Sequence, residues 1–168
     1  MPRNRRTPSA CGILLSPAQS RAWVAFMRVQ LHMTYEINRQ LQQDSDLSLA
    51  DYHVLNSLSA VPSRRLQVTD LAAVIGWERS RLSHHLRRMC ERGLVERLPS
   101  EDDGRATDAV LTERGMAALI EAAPGHTALV RKLFFDPLPD ELLSPFTAAL
   151  EHIQAGLNLN SSLHPPAP

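Results

Sequence analysis

Between positions 66 and 112 the chain reads LQVTDLAAVIGWERSRLSHHLRRMCERGLVERLPSEDDGRATDAVLT, and the succession of local signals in this stretch decides the fold. Leu66-Gln67-Val68 is long enough for a minimal strand. Thr69 stands where it can cap a short helix over 70–75, and Gly76 sits where such a helix closes in a left-handed residue. A longer helix is predicted over 78–92, ended by Gly93. Residues 94–98 and 107–111 read as two strands, and the polar PSEDDGRA between them is rich in turn formers, which predicts a hairpin.

Outside this stretch the pattern is helical. Ser16-Pro17 is a capping residue followed by proline at the first helical position. From there Trp23, Met27, Leu31 and Leu41 recur near helical spacing, with Phe26 and Ile37 widening the stripe, so a helix is predicted over 16–43. Ser48-Leu49-Ala50-Asp51 has the form of a capping box and opens a helix carrying Tyr52, Val54, Leu55 and Leu58, stopped by Pro62. After the hairpin, Thr112 caps a helix through Met116, Leu119 and Ile120, and Pro124-Gly125 predicts a kink or break before the pattern resumes over 130–135. A last helix from about Pro139 is expected to bury Leu142, Leu143, Phe146, Leu150, Ile153 and Leu157. Residues 1–15 read as a flexible basic arm and 161–168 as a frayed tail. The order describes a mainly α fold with a small β-hairpin wing. It is a winged helix-turn-helix core over about 48–112, within a domain over 16–160. Helices over about 16–43 and 113–159 flank the core and are expected to carry dimerisation.

Composition bounds the possibilities. With 168 residues, 43% hydrophobic and 21% charged, the chain fits one soluble globular domain, with or without a dimerisation extension. Aromatics at 5% beside plentiful Ala and Leu favour helices over sheets. No apolar run approaches the length of about 20 residues that spans a bilayer. The weakly apolar stretch over 11–15 that follows Arg3, Arg5 and Arg6 is too short for a signal peptide, so a cytoplasmic location without membrane contact is expected. Cys11 and Cys90 are too few for a disulfide framework and lack metal-ligand spacing. The net charge is zero, so affinity for nucleic acid must come from local clustering.

Such clustering is present in the helix over 78–92, where five arginines stand against two glutamates. Leu82, Leu86 and Met89 mark its buried stripe, leaving Arg79, Ser80, Arg81, Ser83, His84, Arg87 and Arg88 on the remaining face. A helix fits the major groove of DNA, where Arg bonds both acceptors of guanine and Ser contacts base edges or phosphate. Residues in its first turns reach bases, so Ser80, Arg81, Ser83 and His84 are the candidates for base contact. Arg87 and Arg88 suit phosphates, and Thr69 completes the DNA-binding set on the preceding short helix. The hairpin tip presents Asp103-Gly104-Arg105, in which Gly104 permits a tight turn and Asp103 can hold the Arg105 guanidinium for a narrow minor groove. A solvated basic face and an ordinary Asp-Asp-Gly turn account for each feature separately.

Taken together, Ile75-Gly76, Ser80-Arg81-Leu82-Ser83, Arg92-Gly93-Leu94-Val95, Asp103-Gly104-Arg105, Leu111-Thr112 and Gly115 resemble the MarR family of transcriptional regulators in order and spacing, over about 16–159. The resemblance implies a homodimer formed by the terminal helices. It implies two winged helices on successive major grooves of a pseudo-palindromic operator, with Arg105 probing the minor groove, and a repressor that answers to a small aromatic or amphipathic effector. His32, Tyr35 and Tyr52 are the candidates to line the effector pocket. Cys90 departs from the family's polar residue at that place and raises a redox-responsive alternative, although an inert small hydrophobe explains it as well. Seven histidines raise a metal-responsive one, but His84-His85 cannot share a helix face, and His32, His53, His126 and His152 lack ligand spacing. A winged helix that docks on protein remains a further alternative. No phosphate loop, paired-carboxylate site or nucleotide fingerprint is present, so neither an enzyme nor a cofactor is expected.

Overall fold

A computed structural model describes residues 15–100, 105–160 and 162. The arm expected over 1–15 and the tail over 161–168 therefore lie almost wholly outside the described residues. The elements are α1 (Pro17–Ser45), α2 (Leu49–Ser59), β1 (Arg65–Gln67), α3 (Val68–Val74), α4 (Arg79–Glu91), β2 (Val95–Pro99), β3 (Thr107–Leu111), α5 (Glu113–Val130), a π-helical turn over Arg131–Phe135, and α6 (Asp140–Asn160). This is the mainly helical winged-helix arrangement read from the sequence. Among the described residues no helix is long and apolar enough to cross a membrane.

The chain forms two compact units that divide within α1, after Glu36. In the N-terminal unit none of the described residues is buried, and Trp23 and Phe26 pack with ring centroids 5.7 Å apart. The second unit, from Ile37 onward, contains the core. Its helices bury residues at helical spacing: Val54, Leu55 and Leu58 on α2, Leu71 and Ala72 on α3, Leu82, Leu86 and Met89 on α4, and Leu119 and Ala122 on α5. The strands add Val95, Ala109 and Leu111, and Leu41 and Leu47 complete the cluster.

Local chemistry starts and stops these elements. The capping box of α2 is formed in full: the Ser48 hydroxyl accepts from Asp51 N at 3.1 Å, and Asp51 Oδ2 accepts from Ser48 N at 2.9 Å. Gly76 and Gly93, at the ends of α3 and α4, take φ of 71° and 69°, the left-handed region open to glycine. The antiparallel sheet has the order β1-β3-β2, with Leu66 opposite Ala109 and Arg97 opposite Ala109 on the other side. Arg65 clamps it crosswise, donating from Nε to Asp108 Oδ2 on β3 at 2.6 Å and from Nη2 to the Pro99 carbonyl on β2 at 2.7 Å.

Three expectations are corrected. Thr69 does not cap α3. The strand runs straight into the helix, which starts at Val68 with Gln67 in the capping position and no side-chain cap bond. Pro124-Gly125 does not break α5, which continues through both residues to Val130 before the π-helical turn. Pro124 removes the donor for the Ile120 carbonyl, but both residues are on an exposed side where water can satisfy it. Gly125 serves a different purpose: a Cβ there would lie 2.8 Å from Gln40 Nε2 and 3.1 Å from Asp44 Oδ2, so the glycine gives room to the end of α1. Finally, α6 buries none of its residues within the chain; Leu142, Leu143, Leu150, Ile153 and Leu157 are 42–60% exposed and Phe146 half-buried.

The start of α5 is docked with little tolerance. Thr112 Oγ1 accepts from Gly115 N at 2.9 Å and lies 2.8 Å from the Gly93 and 3.0 Å from the Leu94 carbonyl. A Cβ on Gly115 would stand 2.0 Å from the Leu94 carbonyl oxygen, which is backbone and cannot swing away. Gly115→Ala is expected to destabilise the fold by about 3 kcal/mol through this overpacking, measured as a lower denaturant midpoint; an unchanged midpoint would show that the α5 junction gives way.

Candidate nucleic-acid interface

The interface grows out of the two-sidedness of α4. Leu82, His85, Leu86 and Met89, at i, i+3, i+4 and i+7, point inward and are buried. Ser80, Arg81, His84, Arg87 and Arg88 are exposed and Ser83 half-buried, so the six candidates on this helix lie on the side turned from the core. The adjacent histidines separate as expected, His84 outward and His85 inward.

Two of the outward arginines are already engaged. The Arg81 guanidinium lies over the Trp77 ring, 4.2 Å from its centroid. Stacking occupies the face of the group and leaves its in-plane N–H donors for a second partner. Arg88 Nη2 lies 3.1 Å from His85 Nδ1. Beneath both, the His85 ring meets Trp77 edge-on at 5.4 Å and brings Nε2 to 2.9 Å from Asp51 Oδ1. Asp51 Oδ2 also accepts from Arg92 Nη1 at 2.8 Å. Burial alone would raise the Asp51 carboxyl, but the close His85 ring and the bonds from Ser48 and Arg92 outweigh it and hold the group well below the usual carboxylate range. Sequence reasoning missed Trp77, His85 and the second role of Asp51. The helical spacing of His85 with Leu82 and Met89 was the available signal.

The wing comes to the same region. Pro99 pairs with Thr107, and Ser100 N donates to the Ala106 carbonyl at 3.0 Å, closing the hairpin below its loop. Asp103 and Gly104 lie outside the described residues, and with them the expected bond between Asp103 and Arg105. Arg105 itself is exposed, and lines a cleft of about 230 Å³ together with Thr69 and Arg79. Thr69, Arg79 and Arg105 thus come from α3, the start of α4 and the wing to form one polar recess. Arg79 was read from the sequence only as part of the basic face. A hydroxyl and two guanidiniums around one recess suit an oxygen-rich anion such as a phosphate.

The fold is shared with known proteins. The family model described as MarR family matches residues 45–106. AbsC, a MarR family transcriptional regulator from Streptomyces coelicolor, is 35% identical, with a TM-score of 0.78 over 86% of this chain and 97% of its own. Sco3205, a MarR family transcriptional regulator from the same organism solved in complex with DNA, is 32% identical, with a TM-score of 0.81 over 89% and 97%. The chain belongs to the MarR family. An organohalide-sensing regulator in its 2,4-dichlorophenol-bound form shares the fold at 17% identity, with a TM-score of 0.78 over 99% of this chain and 96% of its own. No curated protein sequence matches significantly. Membership makes the chain a DNA-binding transcriptional regulator and not an enzyme.

The remaining candidates of this MarR-family chain are placed as follows. His32 and Tyr35 are exposed on the N-terminal unit. Tyr52, in the second unit, is half-buried and packs on His126 with ring centroids 4.4 Å apart, a partner absent from the expected set. Burial raises the Tyr52 phenol, while burial and then the nearby His53 hold His126 below the ordinary imidazole value. Cys90 is half-buried beside a groove of about 410 Å³ shared with Arg87 and Arg97. Burial pushes its thiol up, which lowers the thiolate fraction an oxidant sensor needs. Cys11 lies outside the described residues. Among the described residues no three His, Cys, Asp or Glu side chains stand together to hold a metal ion.

Asp51 gives a testable acid dependence. Its folded carboxyl titrates below its unfolded value, so its stabilisation is full above the ordinary carboxylate range, begins to be lost as pH falls through that range and is gone only below the folded value. Asp51→Ala is expected to cost about 3 kcal/mol at pH 7 and to flatten the loss of stability below about pH 5. Melting curves at several pH values check both; an Asp51→Ala curve parallel to the parent's would show that the carboxylate carries no linked protons.

Proposed function

We propose that the chain is a homodimeric, ligand-responsive repressor that reads a pseudo-palindromic operator with α4 in the major groove and the wing in the minor groove. The observation that carries this reading is the outward face of α4 standing beside the recess of Thr69, Arg79 and Arg105. Ser80, Arg81, Ser83 and His84 would meet base edges, with Arg81 presented from its stack on Trp77. Arg87, Arg88, Thr69 and Arg79 would meet phosphates, and Arg105 would enter the minor groove. The DNA complex of a relative 32% identical supports the mode of action, and a cytoplasmic location goes with that reading.

The dimer is supported by apolar residues that the single chain leaves uncovered: Trp23, Phe26 and Leu31 on α1, and Leu142, Leu150, Ile153 and Leu157 on α6. A second copy supplies the missing cover. The effector would be aromatic or amphipathic and would bind beside Tyr52. His126 Nδ1 is buried there with no hydrogen-bond partner among the described residues, next to an aromatic face. A phenolic ligand held by a regulator of the same fold is consistent with that chemistry.

The direct test selects bound fragments from the source genome and measures affinity for the recovered operator across a salt series. Arg105→Ala is expected to weaken operator binding at least about tenfold, about 1.4 kcal/mol, without a change in melting temperature. Arg81→Ala should cost about 1–3 kcal/mol and relax the preference at one base pair. Parent-like affinity and specificity in both variants would remove α4 and the wing from the DNA and favour docking on protein. Ile153→Glu is expected to dissociate or unfold the dimer in sedimentation, whereas a folded monomeric parent at micromolar concentration would sink the dimer reading.

A further inference from the structure

We infer that His85, buried beneath the basic face of α4, is a positioning residue that holds Arg88 in place for DNA. The inference rests on the reading of Arg88 as a phosphate contact, and concerns how that side chain is presented. Arg88 can only donate, so His85 Nδ1, 3.1 Å from its Nη2, is the acceptor. The imidazole then carries its proton on Nε2, which lies 2.9 Å from Asp51 Oδ1 without the alignment of a hydrogen bond. Trp77 bounds the ring from a third side at 5.4 Å. An imidazole fixed by a carboxylate and an indole has one way to aim Nδ1, and it aims at the exposed edge where Arg88 emerges. A long guanidinium chain tethered before binding loses less freedom when it meets a phosphate, which is how a side chain that never touches DNA can raise affinity for every sequence equally.

This role differs from simple core packing in requiring an acceptor at the position of Nδ1. Two variants of similar size separate the two nitrogens. Gln places its amide nitrogen near Nε2 and retains the donor toward Asp51, but has no acceptor at Nδ1. Asn places its carbonyl oxygen near Nδ1 and retains the acceptor for Arg88.

The experiment measures binding of the full chain to genomic DNA fragments over a salt series, for the parent and for His85→Gln, His85→Asn, Arg88→Ala and the Gln/Ala double variant, with melting temperatures alongside. Arg88→Ala and His85→Gln should each weaken binding about threefold to tenfold; Arg88→Ala should lower the salt slope by about one, whereas His85→Gln, which leaves the phosphate contact able to form, should keep the parent's slope. The double variant should lose no more than Arg88→Ala alone, and His85→Asn should keep the parent's affinity even if its melting temperature falls. Parent-like affinity in His85→Gln, equal behaviour of the Gln and Asn variants, or additive losses in the double variant would each overturn the positioning role. If Arg88→Ala binds like the parent, the phosphate contact itself is absent and the inference falls with it. If Arg88→Ala is weakened and His85→Gln is not, the contact stands and only the positioning role is lost.

Discussion

A carboxylate only 3% exposed sits where α2 begins and α4 passes, and the orientation of the reading helix depends on it. Asp51 closes the capping box on Ser48, takes a bond from Arg92 and faces His85. Burying a charge costs several kcal/mol unless its lone pairs are met, and here Ser48 and Arg92 donate to it while the His85 ring lies against it. The apolar contacts of Leu55, Leu58, Leu82 and Leu86 drive the elements together, but dispersion and water exclusion are nearly indifferent to a small rotation of a helix about its axis. A directional bond is not. The apolar stripe of Leu82, Leu86 and Met89 turns the basic side of α4 outward, and the contacts of Asp51 fix the rotation of the helix within that arrangement.

The rest of the reading head follows from that orientation. With His85 held inward, Trp77 lies between it and Arg81, and Arg88 finds its acceptor from the other side. The wing is placed by a separate device: Arg65 ties β1 to Asp108 on β3 and to the end of β2, and β1 runs directly into α3. That continuity explains how Arg105 on the wing and Thr69 on α3 come to line one recess. The junction of Thr112 and Gly115 with Leu94 then anchors α5 to the base of the same hairpin.

Much of this is legible in the amino-acid sequence. The capping box at Ser48 and Asp51, the glycines at 76 and 93, the hairpin and the basic face of α4 each depend on a few neighbouring residues, and each is present. The misreadings have a common cause. Thr69 has the chemistry of a cap, but the preceding strand delivers the chain already in helical register at Val68. Pro124-Gly125 has the chemistry of a break, but the proline lies toward solvent and the glycine against Gln40 and Asp44. Leu150 and Ile153 have the pattern of a buried stripe, but no element among the described residues covers them. In each case local propensity was read correctly and the surroundings overrode it.

By itself, the sequence determined what is settled within one or two turns of the chain: where helices start and stop, which stripe of each is apolar, where the hairpin turns and which face of α4 is basic. Capping bonds, left-handed glycines and side-chain periodicity act over about four residues, so the order of letters contains them. Only the tertiary structure decided which distant groups would meet. Asp51 and Arg92 are 41 positions apart, and Thr69 and Arg105 belong to elements that the sheet brings side by side. Such pairings depend on how apolar faces pack and on which buried charges must find partners once water is gone, and neither is written in any local stretch of the chain.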